Sequence, residues 1–330
     1  MNITKAWQSK FSWTVLLLPL SFIFYFLISF RKLLFLLKVK KSYRPKVPLI
    51  VVGNISVGGT GKTPTVIWLC KFLQNAGYRP VIISRGYGGN SEQYPLVVDA
   101  NSNPQESGDE PLLLAIRTAC PVVVDPIRCR AAQMAENIGC DIIISDDGLQ
   151  HYALERDLEL IVIDGQRRFG NGFLLPAGGL REPKSRLKTA FAKICNGGIA
   201  QENEWQMTLK PAAHWQNVFE KNKSVTKDFF EGKKLLAIAG IGNPQRFFAL
   251  LTELNIQAEV LPLADHAEIQ IDQFTKWQNN YDMILMTEKD AVKCRKFKSS
   301  NCFYLPVTAQ IDDKLELEIL QKIKELNKYG

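Results

Sequence analysis

Apolar and polar positions divide the chain into stretches with different periods. Residues 11–30 form a run of 20 positions without a charge, and a helix of about 20 such residues matches a ~30 Å hydrocarbon core. The run continues into Arg31-Lys32-Leu-Leu-Phe-Leu-Leu-Lys38 with no small-residue cleavage site, which argues against a secretory signal. A helix apolar on every face needs a bilayer or a large core around it. Pro19 would kink such a helix, so one that spans the membrane and one that lies in a single leaflet both fit the pattern.

From 47 to about 165 the period changes. Short continuous apolar runs at Leu49–Asn54, Pro80–Ser84, Pro121–Asp125, Asp141–Ser145 and Leu158–Asp164 alternate with helical segments. Continuous runs separated by helices predict a parallel sheet covered on both faces. In such sheets ligands gather at the carboxyl ends of the strands, and polar clusters follow three of these runs: Ser84–Gly89, Asp125–Arg128 and Asp146–His151. Residues 196–230 are polar and irregular and read as a linker. A second unit begins at Lys234-Leu-Leu-Ala-Ile-Ala-Gly-Ile-Gly, continues through runs at Ala258–Leu263, Asp282–Thr287 and Cys302–Val307, and ends in a charged helix over 313–327. The expected organisation is a membrane-associated apolar helix with a basic linker (1–46), an α/β parallel-sheet core of the P-loop NTPase type (47–195), a linker (196–230) and a smaller α/β domain (231–330).

The first apolar strand runs into Ser56-Val57-Gly58-Gly59-Thr60-Gly61-Lys62-Thr63, the layout of a phosphate-binding loop. The glycines let the backbone curl and aim successive N–H groups at phosphate oxygens. Lys62 is expected to reach the β- and γ-phosphates of ATP, and the Thr63 hydroxyl to complete the shell of a Mg²⁺. A helix starting near Lys62 adds the positive end of its dipole. The usual pattern has a glycine at the position held here by Ser56. Further on, the run Ile142–Ser145 delivers Asp146 and Asp147, carboxylates of the kind that bind Mg²⁺ or its waters.

Charge placement narrows the partners. The first acidic residue is Glu92, and residues 1–91 carry 13 Lys and Arg, against 28 basic and 33 acidic residues in the remainder. The basic excess is therefore membrane-proximal rather than a surface for nucleic acid. Arg31, Lys32, Lys38, Lys40, Lys41, Arg44 and Lys46 follow the apolar run, which predicts a cytoplasmic body with those cations on anionic lipid headgroups. Seven scattered cysteines without a Cys-x-x-Cys argue for reduced thiols and against a disulfide framework or zinc site. No obligate protein partner is evident.

Six motifs together give the chain a resemblance. Ser56–Pro64, Ser84-Arg-Gly-Tyr-Gly88, Gly108-Asp-Glu-Pro111, Asp146-Asp-Gly-Leu-Gln-His151, Leu175-Pro-Ala-Gly-Gly-Leu-Arg-Glu-Pro183 and Thr287-Glu-Lys-Asp-Ala-Val292 resemble the tetraacyldisaccharide 4′-kinases of lipid A biosynthesis. The likeness runs from the apolar helix to about residue 295, and Ser56 is then the family's own loop residue. It implies transfer of the γ-phosphoryl of ATP to the 4′-hydroxyl of a tetraacylated disaccharide 1-phosphate at the cytoplasmic face of the bacterial inner membrane. It further implies Asp109 as the base and His266 as the histidine that tunes it. Asp146, Asp147 and Glu182 then become candidates for the metal shell, and Arg85, Arg128 and Arg181 for substrate or ATP phosphates. Two other classes fit parts of the pattern: a P-loop enzyme acting on a soluble metabolite, and a membrane-tethered nucleotide switch. The uncharged 20-residue run speaks against the first, and the carboxylates after Gly108 and Ser145 against the second.

Overall fold

The computed structural model describes residues 3–328, Lys221 and His266 excepted. A short helix α1 (Ile3–Ala6) and a 3₁₀ turn (Trp13–Leu17) lead into α2 (Leu18–Leu36). Pro19 does not kink α2 as the sequence suggested. It sits in the first turn, where its missing N–H has no partner to lose. Most of the helix is exposed and apolar, and Trp13–Leu36 is long and apolar enough by length and composition to cross a membrane.

The expected parallel sheet follows. Its strands are β1 (Leu49–Gly53), β2 (Pro80–Ser84), β3 (Leu96–Val98), β4 (Val122–Val124), β5 (Ile142–Asp146), β6 (Leu158–Asp164) and β7 (Ala192–Asn196), with β3 added antiparallel to β4 at its edge. Helices α3 (Lys62–Asn75), α4 (Pro104–Ser107), α5 (Asp109–Thr118) and α6 (Arg128–Asn137) intervene. β1 is flanked in parallel by β5 and β6, so the chain departs from β1 in the middle of the sheet. Alternation along β1 divides the core: Ile50 and Val52 face α3 and α5, while Leu49 and Val51 face the layer of α6.

The stretch 196–230 is not a plain linker. It supplies β8 (Trp205–Pro211), which extends the first sheet beside β7, then β9 (Trp215–Asn217) and β10 (Ser224–Val225). The second sheet continues with β11 (Leu235–Ala239), β12 (Glu259–Pro262), β13 (Met283–Met286) and β14 (Cys302–Tyr304), in the order β10-β9-β14-β13-β11-β12. Helices α7 (Pro244–Glu253), α8 (Ile271–Asn280) and α9 (Glu288–Cys294) accompany it.

The chain then returns. β15 (Val307–Ile311) pairs antiparallel with β8 and completes a nine-stranded sheet, and α10 (Asp313–Lys328) buries Leu315, Ile319 and Ile323 in the same core as α3. Trp68 of α3 donates its indole N–H to Glu316 of α10 at 3.0 Å. The last 20-odd residues thus close the first layer system rather than the second. Their charged, amphipathic pattern was visible in sequence, but the layer that they cover was not.

Candidate active site

The loop between β1 and α3 has the conformation that its glycines permit. Gly61 adopts φ +102°, and a Cβ there would sit 2.2 Å from Nδ2 of Asn196, so only glycine fits. Asn54 and Asn196 hold the loop from within: Asn54 Nδ2 donates to Thr60 Oγ1 at 3.2 Å, and Asn196 Nδ2 to the Thr60 carbonyl at 2.9 Å. Lys62 and Thr63 open α3 behind Gly61, which leaves the first-turn N–H groups facing the loop. Val57 is tied on its outer side by donating to Gly179 O at 2.8 Å, and Ser56 bridges to Leu180.

β5 delivers its two carboxylates next to this loop. Asp147 takes a left-handed conformation, φ 48°, and lies 3.6 Å from Lys62 Nζ and 3.2 Å from Arg181. Burial would raise its pKa, but Lys62 and Arg181 outweigh burial and hold the carboxyl below the usual range. Asp146 is the opposite case. It is buried, its carboxylate accepts no hydrogen bond from the described residues, and burial with repulsion from Glu110 and Asp147 pushes it up to about 7 against Lys62 and Arg128. Two adjacent carboxylates with opposed shifts thus flank one lysine, the pattern of a functional site.

Arg128, expected as a phosphate ligand, is buried at the start of α6 and donates Nη2 to the Asp146 carbonyl at 2.5 Å. Its Nε and Nη1 are buried with no partner. Burial drives its pKa down to about 10, Asp146 and Asp147 oppose this, and Arg85 adds to it. Two buried, unpartnered guanidinium nitrogens call for an anion. Arg85 is exposed on the loop after β2. His151 is pressed down to about 4 by burial and by Arg128, Arg85 and Arg31, so it is neutral near pH 7.

Glu182 is brought near but is already engaged. Its two oxygens accept from Gln150 Nε2 and Tyr152 OH, each at 2.7 Å, and Arg186 lies 3.2 Å away. These donors make it an anchor of the 174–183 loop, and it could meet a cation only by releasing them. Asp109 is the first residue of α5, behind Gly108 with φ 85°. Its neighbour Glu110 ion-pairs with Lys289 of α9 at 2.9 Å, and Lys289 also meets Asp265 at 3.1 Å. Three segments distant in sequence therefore converge here. His266 lies outside the described residues.

Sequence reasoning gave no role to several residues that build the site. Arg167 binds Asp164 at 2.8 Å and donates to the Gly59 carbonyl and, at 3.4 Å, to that of Gly242. Arg246 of α7 reaches the same Asp164 at 3.0 Å. The Gly240-Ile-Gly242 turn of the second sheet touches the phosphate-binding loop directly, since a Cβ on Gly242 would stand 2.2 Å from Gly59 N. Asp164 ends an apolar run, a visible signal; nothing in the sequence linked Arg246 to it.

A metal that bridges phosphates needs little protein around it. Among the described residues no group of three or more His, Cys, Asp and Glu side chains could hold a metal by itself. Mg²⁺ is commonly held by one or two carboxylates with substrate phosphates and water. Asp146 and Asp147, at the end of β5 beside Lys62, suit that demand once Asp146 gives up its proton.

Comparison with known proteins gives the family. A family model described as tetraacyldisaccharide-1-P 4′-kinase matches residues 13–324. The tetraacyldisaccharide 4′-kinase of Actinobacillus pleuropneumoniae serotype 7 is 46% identical over 99% of this chain and 100% of its own length. That of Haemophilus influenzae is 49% identical over 92% of this chain and 90% of its own. The crystal structure of LpxK from Aquifex aeolicus in complex with ATP superposes with a TM-score of 0.76 at 28% identity, covering 94% of this chain and 99% of that one.

Proposed function

Because this chain belongs to the tetraacyldisaccharide-1-P 4′-kinase family, we propose how its residues carry out the family's reaction. The chain is an ATP-dependent kinase that phosphorylates the 4′ position of the tetraacyldisaccharide 1-phosphate in lipid A biosynthesis. Phosphoryl transfer asks the protein chiefly for positioning and charge neutralisation. The observation that carries the site reading is the grouping of Lys62, Asp147, Arg181 and Asp146 at the mouth of the Gly58–Gly61 loop.

ATP binds with its phosphates over residues 56–63. The loop's N–H groups and the first turn of α3 meet the phosphate oxygens, and Lys62 turns from Asp147 towards the γ-phosphoryl. Thr63, Asp146 and Asp147 would hold Mg²⁺, which when bound neutralises charge on the β- and γ-phosphates. Glu182 can join them only after leaving Gln150 and Tyr152. Asp109, at the start of α5, accepts the proton of the 4′-hydroxyl, with His266 as its partner. Arg128 supplies two free guanidinium nitrogens to a phosphate, with Arg85 beside it.

The acyl chains of the substrate lie in a bilayer, and the exposed apolar face of α2 is suited to the same place. The enzyme sits on the cytoplasmic face of the inner membrane with α2 in the near leaflet and Arg31–Lys46 over the headgroups. Contacts of the N-terminal segment with the protein body at residue 7 and, within α2, at residues 21 and 35 support a helix that runs alongside the domain rather than away through the bilayer. The test is transfer of labelled γ-phosphate from ATP to the 4′-hydroxyl of the lipid disaccharide in detergent micelles. ATP consumption that ignores the lipid, or transfer to a soluble acceptor, would overturn the assignment.

A further inference from the structure

Ser21 is out of character in α2. It is a buried hydroxyl in a helix whose neighbours Phe22, Ile23, Phe26 and Leu27 are exposed and apolar. A buried hydroxyl costs stability unless it is paired, and beside a long 3.5 Å contact to the Leu17 carbonyl at its own helix's N-cap this one makes two shorter bonds outside the helix. Ser21 Oγ donates to the Leu174 carbonyl at 2.9 Å and accepts from the Ala177 N–H at 3.0 Å. Trp7 repeats the pattern: its indole N–H donates to the Pro176 carbonyl at 3.0 Å, and its own carbonyl accepts from Asn171 N at 2.7 Å. The indole also lies over Gly179, where an added Cβ would stand 3.4 Å from the ring.

The loop held in this way is the one that ends in Arg181 and Glu182, and its other edge is sewn to the phosphate-binding loop. Gly179 O accepts from Val57 N at 2.8 Å, and Arg181 N donates to Ile55 O at 2.7 Å. Leu175 N and Leu180 O bond across the loop's neck at 2.9 Å. One continuous set of hydrogen bonds therefore runs from the membrane-facing segment, through 174–180, to Val57 on one side and to the Arg181–Asp147 pair on the other.

We propose that Ser21 and Trp7 are positioning residues for phosphoryl transfer: the segment that meets the lipid also fixes the register of the 174–182 loop against the phosphate-binding loop. The proposal rests on the kinase reading above. A plain membrane anchor would hold the helix through apolar packing alone and would not need a buried serine bonded to both a carbonyl and an N–H of that loop. Loss of the Ser21 hydroxyl leaves the Ala177 N–H without a partner and the Leu174 carbonyl with the Gly178 N–H alone, and the loop is free to shift relative to Val57.

The test uses the full-length enzyme, with Ser21→Ala, Ser21→Thr and Trp7→Phe, in micelles of the tetraacyldisaccharide 1-phosphate. A shift of about 1 Å at a reacting centre costs up to ~10²-fold, so Ser21→Ala and Trp7→Phe should lower kcat by about 10- to 100-fold. The KM for lipid and sedimentation with anionic phospholipid vesicles should stay within about twofold of wild type, and Ser21→Thr, which keeps the hydroxyl, should recover most of the rate. Independently of activity, backbone hydrogen exchange over residues 55–58 and 174–182 should quicken in Ser21→Ala. Wild-type kcat or unchanged exchange in Ser21→Ala overturns the proposal, as does a loss confined to lipid KM or vesicle binding. A wild type that fails to phosphorylate the lipid overturns the kinase reading and this inference with it; an active wild type with an equally active Ser21→Ala overturns only the inference.

Discussion

Replacing Lys289 by methionine removes the cation that Glu110 and Asp265 share, and its cost can be bracketed from geometry. Nζ stands 2.9 Å from Glu110 and 3.1 Å from Asp265, with the Lys289 side chain 13% exposed and the carboxylates 28% and 39%. At 3 Å and an effective dielectric of 20 the Coulomb attraction is about 5 kcal/mol per pair. Solvent screening of the two carboxylates and the desolvation of the lysine remove much of that. Exposed pairs are worth about 0.2–1 kcal/mol and breaking a buried one costs about 3–5, so this half-buried bridge should cost about 2 kcal/mol. At about 2.1 cal/mol/K per residue, unfolding of the 330-residue chain carries an entropy of about 0.7 kcal/mol/K, so the melting midpoint should fall by roughly 3 °C. Burial alone would lower the Lys289 pKa, but Glu110 and Asp265 raise it. The bridge's contribution is therefore whole below about 10.4, the unfolded value, and fades only as pH rises through the folded one. Between pH 7 and 9 the deficit of Lys289→Met should be constant. Because Glu110 follows Asp109 in the first turn of α5, kcat should fall as well. The assay is thermal unfolding and turnover for Lys289→Met, Glu110→Gln and the double variant, with a coupling of about 1 kcal/mol or more expected from residues in contact. Strict additivity, or a Lys289→Met protein that melts and turns over like wild type, refutes the bridge.

Lys62→Ala and Thr63→Ala should unfold at the wild-type temperature yet lack activity, because they contribute phosphate contacts and little core; normal turnover would sink the nucleotide assignment. Asp109→Asn should lose about 10²–10⁴-fold in kcat while still binding ATP, and Asp109→Asn with His266→Ala should be scarcely worse if the two act as a unit; multiplicative losses would mean independent roles. Deleting residues 1–40 should raise the KM for lipid far more than that for ATP and, by removing Trp7 and Ser21, should lower kcat too; a truncated protein that still partitions with membranes would move the attachment elsewhere. His151 has its pKa lowered from 6.5 to about 4 by burial and by Arg128, Arg85 and Arg31. The unfolded chain therefore binds more protons there, so stability is full above about 6.5 and drains as pH falls towards 4. His151→Gln should flatten that fall in denaturant titrations at pH 7 and 5, and an unchanged slope would reject the assignment.

Local chemistry was legible in the sequence wherever one short segment carried it. The loop 56–63 and the strand ending in Asp146-Asp147 lie side by side because β1 pairs with β5, which a parallel α/β pattern already implies. The apolar runs became β1, β2, β4, β5 and β6 within a residue or two. Segments whose faces differ were harder to place. Trp205–Pro211 mixes buried Met207 with exposed and half-exposed positions, so a sheet strand looked like linker. Glu182 reads as a carboxylate poised for a cation, yet Gln150 and Tyr152, from a different loop, occupy its oxygens. Ser21 in a hydrophobic run looks incidental until its partners at Leu174 and Ala177, more than 150 residues away, are known.

The two layer systems meet on two sides of the candidate site, through contacts that resist their separation. On one side, Gly242 abuts Gly59 while Arg167 and Arg246 share Asp164. On the other, Lys289 clasps the first turn of α5, and Arg117 of α5 ion-pairs with Glu288 of α9. The strand-and-helix return of β15 and α10 ties the second unit back to the first at its far end. Parting the units beside the phosphate-binding loop would therefore break polar and ionic contacts, whereas the Leu315–Ile323 packing is apolar and costly to part. The polar contacts beside Gly59 are the ones that an incoming phosphate could replace with bonds of its own. A nucleotide would then exchange contacts between the units for contacts to itself, and Arg167, already donating to the Gly59 carbonyl, stands where that exchange would begin.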